Sequence, residues 1–181
     1  MARKVKEIEG SVCAPKGFKA AALACGIKNP AVERLDLALI YSEFPTVGSA
    51  VYTQNQVCAA PVRLSASHLK SAEPRAIIAN SGNANACTGP DGLINARAMS
   101  SATAKALGLR QREVQVCSTG IIGVPLPIQE LRTLAVSHAH RRIAKIQELR
   151  RANGPASQAA SQAASQDSAS SSEDSAPSSN A

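Results

Sequence analysis

The chain has 181 residues, with 20 Lys plus Arg against 13 Asp plus Glu and a formal net charge of +7. That length suits one domain, or one and a half. With no Trp, two Phe and two Tyr it lacks the aromatic platforms on which single-stranded nucleic acid stacks, and no apolar run approaches the length of a membrane span. Neither a nucleic-acid partner nor a membrane is expected.

The N-terminus, Met1 to Glu9, alternates charge with apolar residues and carries no apolar signal core. Leu35–Tyr41 (LDLALIY), Ala50–Thr53 and Ala76–Ala79 (AIIA) read as strands, bounded by Pro, Gly, Ser and Asn. A helix is expected over Leu93–Leu107, opening after the turn Gly89-Pro90-Asp91-Gly92 and stopped by Gly108. Val114–Cys117 is a further strand, halted by Ser118-Thr119-Gly120. Pro127 suits a first helical position, and Ile128 to about Arg151 continues with apolar residues near helical spacing. Strands and helices in mixed order predict an α/β body over 1–151, a layered sheet covered by helices, with α+β left open. The segment 152–181 holds ten Ser and nine Ala and no bulky apolar residue. Nothing there offsets the roughly 1–2 kcal/mol of backbone entropy per residue, so a disordered tail is expected. That tail has three acids and no base, which leaves the body at +10.

Cysteines at 13, 25, 58, 87 and 117 are odd in number and form no C-x-x-C pair. They read as free thiols of a reducing, cytoplasmic protein, with neither a disulfide framework nor a metal site.

Two stretches could carry chemistry. Asn80 to Gly89 (NSGNANACTG) follows a strand and precedes a helix, so its amides could hold a ligand. The same composition also fits a turn whose side chains tie their own backbone. Ser118-Thr119-Gly120, at the end of another strand, can aim a hydroxyl and a backbone N–H at one point, as an oxyanion hole requires. Cys87 and Cys117 lie in or beside these stretches, but a thiol nucleophile needs a base. Of the three histidines, His138 and His140 lie two apart on different helix faces, and His68 stands alone. Buried inert thiols and solvated imidazoles are expected. The basic run from His138 to Lys145 and on to Arg151 reads as a charged outer helix face.

Taken together, Ala14 to Ala21 (APKGFKAA), Leu35 to Ile40, Ala59 to Val62 (AAPV), Asn80 to Gly89 and Ser118 to Pro127 (STGIIGVPLP) resemble the ornithine acetyltransferase/glutamate N-acetyltransferase family of arginine biosynthesis. The pieces fall in family order from about residue 10 to residue 130. The resemblance implies a layered fold of the self-processing, N-terminal-nucleophile kind, in which a precursor cuts itself into associated α and β chains. The N-terminal Thr of the β chain then carries acetyl from N2-acetylornithine, or from acetyl-CoA in some members, to glutamate. Thr119 and Gly120 match the family's oxyanion-stabilising pair. No cofactor is implied beyond acetyl-CoA as a donor substrate, and the family's assembly is α2β2-like. The family's Thr-Thr-Asp stretch, its Lys-Gly-rich segment and its Met-Ala-Thr cleavage site have no counterpart here, and the sole Ala-Thr pair, Ala102-Thr103, lies in the Ala-rich helix. An α-chain-like domain, truncated before the Thr nucleophile and inactive alone, is therefore expected. A retained α-like fragment without turnover, or a non-catalytic basic binding module, stays open beside it.

Overall fold

A computed structural model describes residues 8–27, 29, 31 and 34–128. The expected helix beyond Ile128, His138, His140 and the tail 152–181 lie outside the described residues. The described elements are a short 3₁₀ turn Ser11–Cys13, strands β1 (Phe18–Leu23) and β2 (Leu37–Ser42), helix α1 (Ala60–Ser71), strand β3 (Ala76–Asn83), helix α2 (Gly89–Leu107), a 3₁₀ turn Gln111–Glu113 and strand β4 (Val114–Ile121). The four strands form one sheet in the order β1-β2-β3-β4. The first three pair antiparallel, and β4 returns parallel to β3 after the α2 crossover. Sheet and helices together give the layered α/β arrangement expected from the sequence.

Register explains the core. Leu39 pairs with Ile78, and Ile78 with Val116, so these three line up across the sheet on one face. All three are buried, and they cluster with Leu37, Ala76 and Val114 against Leu64 of α1 and Ala96, Met99 and Ala104 of α2. The opposite face carries the alternate residues, of which Ile77 is 37% exposed.

Strand β1 answers to no element expected from the sequence, and three further elements differ from the expectation. Ala50–Thr53 is not a strand: Val51 is 98% exposed, and its β-like alternation finds no neighbouring strand among the described residues. Helix α1 was not expected, since its buried face is marked by Pro61, Leu64 and Ser65 and not by an apolar stripe. α2 begins at Gly89, so the supposed turn before it is its first turn, with Pro90 in a position that needs no N–H donor. A Cβ on Gly92 would come within 2.2 Å of Thr88 Oγ1 and 3.3 Å of Ala60 Cβ, so glycine lets that first turn approach α1. Gly108, at φ 67°, ends the helix as expected.

Candidate functional site

β3 does not stop at Ala79 but runs on through Asn83, and β4 runs on through Thr119 and Gly120 to Ile121. The two functional candidates of the sequence thus lie side by side as paired strand ends, with Ser81 opposite Thr119 and Gly82 opposite Gly120. A shift of register follows at Asn83. The close approach has a steric origin. Gly120 has φ +134°, and a Cβ there would sit 2.3 Å from the Gly82 carbonyl carbon and 2.5 Å from the Asn83 nitrogen. No other residue fits.

The Asn-rich segment spends its amides on its own backbone. Asn80 Nδ2 donates to Asn83 O (2.8 Å), and Asn83 Nδ2 to Val124 O (3.0 Å) and Pro125 O (3.2 Å). Asn83 Oδ1 accepts from the Asn85 amide, and Asn85 Nδ2 donates to Gly92 O, both at 2.8 Å. The side chains hold the turn between β3 and α2 and bind the segment after β4 to it. Of the two readings of the sequence, the self-tying turn is the one this geometry supports. The α2 N-terminus does not present a free anion site either, since Asp91 occupies its first turn and Pro90 lacks an N–H. Asn80 Oδ1 and Ser118 Oγ, on residues paired across β3 and β4, are buried without a hydrogen-bond partner.

β4 is the outer strand, and α1 closes only part of its free edge. Ser65 Oγ donates to Val116 O (2.9 Å) and accepts from Val116 N (2.8 Å), while His68 Nδ1 lies 2.8 Å from Val114 O. His68 is thus half-buried and engaged, not a solvated imidazole. A strand turns the backbone groups of alternate residues toward opposite neighbours. With both groups of Val116 facing away from β3, those of Ser118 and Gly120 face the same way, past the reach of Ser65. Thr119 and Gly120 are both exposed. Gly120 also floors a cavity of about 560 Å³ lined by Asn29, Arg34, Asp36, Ser81, Gly82 and Ile121. The Asp36 carboxylate in that wall is occupied, accepting from the Cys25 and Ile27 amides at 2.6 and 2.7 Å.

The thiols are not buried as expected. Cys87 and Cys117 are exposed residues. Cys117 nevertheless lines a second cavity with Tyr52, and desolvation by partial burial pushes its thiol pKa up. Burial, then the charge of Asp36 and its hydrogen bond, push the Cys25 thiol up to about 12. Neither is a ready nucleophile at neutral pH. Among the described residues no group of three His, Cys, Asp or Glu side chains is placed to hold a metal. Sequence reasoning missed Ser65, His68 and the glycine partner Gly82. The first two bond to β4 from a helix with no apolar signature, and the third acts only through its pairing.

The family model described as ArgJ matches residues 19–167. The chain is 51% identical over 117 residues to the arginine biosynthesis bifunctional protein ArgJ of Geobacter sulfurreducens, covering 65% of this chain and 29% of that protein. It is 47% identical over 124 residues to the protein of the same name from Caldanaerobacter subterraneus, covering 68% and 30%. The chain therefore spans about 30% of the length of these curated relatives. Among solved structures, ornithine acetyltransferase complexed with ornithine from Mycobacterium tuberculosis superposes with a TM-score of 0.67 at 46% identity, covering 72% of this chain and 69% of that one.

Proposed function

The chain belongs to the ArgJ family, and from that premise we propose that it supplies the oxyanion-stabilising part of an acetyltransferase that moves acetyl from N2-acetyl-L-ornithine, or from acetyl-CoA, to L-glutamate in arginine biosynthesis. Family membership removes the ground for reading the chain as an unrelated basic binding module. The observation that carries the proposal is the strand end at Thr119-Gly120. An exposed hydroxyl-bearing residue stands beside a glycine whose backbone groups face outward by strand alternation.

In this reading a Thr from a separate, Thr-headed β chain attacks the acetyl carbonyl. The carbonyl oxygen gains negative charge, and the Thr119 hydroxyl and Gly120 N–H donate to it. Collapse of the tetrahedral intermediate expels ornithine and leaves acetyl on the Thr. The glutamate amine then attacks the acyl-enzyme past the same pair, and N-acetylglutamate leaves. The described residues supply the donors and hold them; the nucleophile comes from the partner. The ornithine in the Mycobacterium tuberculosis structure supports the substrate class. A cytoplasmic location is part of this proposal, alongside the finding that no described helix is long and apolar enough to cross a membrane.

The test pairs the 181-residue chain with a Thr-headed chain of the family and follows N-acetylglutamate. The chain alone should give none above blank. The pair should turn over, and Thr119→Ala should cut the rate by roughly two orders of magnitude without abolishing it, because the Gly120 donor persists. An active pair indifferent to Thr119→Ala would remove the oxyanion assignment.

A further inference from the structure

We infer that residues 49–54 are a docking strand, whose free backbone edge takes up one strand of the Thr-headed chain. The inference rests on the reading that such a chain completes the site, and it adds where that chain binds. Residues 45–55 make neither turn nor bend and pair with no strand among the described residues. The stretch is anchored at its start. Gly48 N donates to Glu73 Oε2 at 3.0 Å, and Thr46 Oγ1 donates to Pro74 O. A Cβ on Gly48 would come within 2.3 Å of Pro74 Cγ. At the far end Asn55 N donates to Thr53 Oγ1 (3.1 Å) and Val57 N to Asn55 Oδ1 (2.9 Å). Between these anchors the backbone groups of residues 49–54 make no hydrogen bond among the described residues. The chain is held there with its strand-forming groups free.

The side chains agree. Val47 is 92% exposed and Val51 98%, and Tyr52 is exposed beside them. Residues 44–62 carry no charge, in a chain that is 18% charged. A strand edge meant to face water is ordinarily guarded by a Lys or a Pro, and neither occurs in 49–54. Apolar, uncharged and unpaired together mark a surface built to be covered, and main-chain pairing is the mode that uses all three features.

Position selects the occupant. Tyr52 shares a cavity of about 560 Å³ with Cys117 and Ser118, which directly precede Thr119 on β4. A chain that brings a Thr to Thr119 therefore comes close to this segment. The matched region is about 30% of the curated relatives' length, so such proteins hold ample further chain to supply one strand. A second copy fits less well, since two bodies of net charge +10 repel each other.

The test follows amide hydrogen exchange in the 181-residue chain, alone and with the Thr-headed chain, while sedimentation reads assembly. Amides on alternate residues of 49–54 should exchange fast in the chain alone and slow by about tenfold or more in the pair. Val51→Lys should leave the melt of the chain alone unchanged, because that side chain is exposed, and should weaken assembly by about tenfold or more, the effect of losing one buried apolar side chain. A pair whose residues 49–54 exchange as fast as in the chain alone would overturn the docking strand. So would a mixture that never assembles, or assembly indifferent to Val51→Lys. Protection that grows with the concentration of the chain alone would give the strand to a second copy and overturn the partner. None of these readouts uses acetyl transfer. Turnover sensitive to Thr119→Ala without protection at 49–54 would sink the docking strand alone, whereas protection with turnover indifferent to Thr119→Ala would sink the oxyanion reading alone.

Discussion

Replacing Ser65 with Ala removes one oxygen that serves two buried backbone groups. Ser65 Oγ accepts from Val116 N at 2.8 Å and donates to Val116 O at 2.9 Å, and both ends are buried. Alanine fills nearly the same volume, so the cost comes from polar groups and not from a cavity. A buried backbone group left without a partner costs about 1–3 kcal/mol. Two such groups, less about 0.5 kcal/mol regained from the better helix propensity of Ala, give a net loss of roughly 1.5–5.5 kcal/mol. For a body of this size that lowers Tm by roughly 5–15 °C. Circular dichroism melts would measure it, and hydrogen exchange at the Val116 amide should accelerate with it. Ser67→Ala, on the exposed side of the same helix, serves as control and should move stability by less than about 0.5 kcal/mol. If Ser65→Ala melts with the control, the edge of β4 is not held by this hydroxyl, and Val116 no longer fixes which way the backbone groups of Ser118 and Gly120 face.

Gly120→Ala should destabilise the folded chain by at least about 1–3 kcal/mol from backbone strain alone, with the clash against Gly82 added; an unchanged melting transition would contradict the strand-end geometry. The Cys25 thiol, pushed up to about 12 in the folded chain, binds its proton more tightly folded than unfolded. Its contribution is fully present below the ordinary thiol range and is lost as pH rises from there toward 12, so Tm should fall over that window and fall less steeply in Cys25→Ala. Matching alkaline profiles for the two proteins would refute this. Deleting residues 152–181 should leave Tm unchanged, and a clear drop would show that this Ser- and Ala-rich stretch packs.

Legibility of the fold followed the hydrophobic pattern. LDLALIY and AIIA were readable because Leu37, Leu39, Ala76 and Ile78 are core residues, and the Gly108 stop was readable because a left-handed cap is a local need. β1 was not: half of Phe18–Leu23 is alanine, and its strand character comes from pairing all six residues with β2. Ala50–Thr53 failed in the opposite sense, with the right alternation and no neighbour to pair with. In both cases the deciding partner lies elsewhere in the chain, where a local pattern does not reach.

The candidate site shows the same division more sharply. Thr119 and Gly120 were singled out from a short motif, yet the features that shape their surroundings are distant in sequence. Ser65 holds Val116 from 51 positions away. Asn83 reaches the carbonyls of Val124 and Pro125 from 41 and 42 positions away. Gly120 must be glycine because Gly82 is opposite it, a demand that neither glycine states alone. Hydroxyl, amide and glycine are the residue types least constrained by hydropathy, so their roles are fixed by geometry after folding. The motif therefore named the strand end to which the oxyanion role is proposed, while the clamp that holds β4 came from polar side chains that a reading by hydrophobic period passes over.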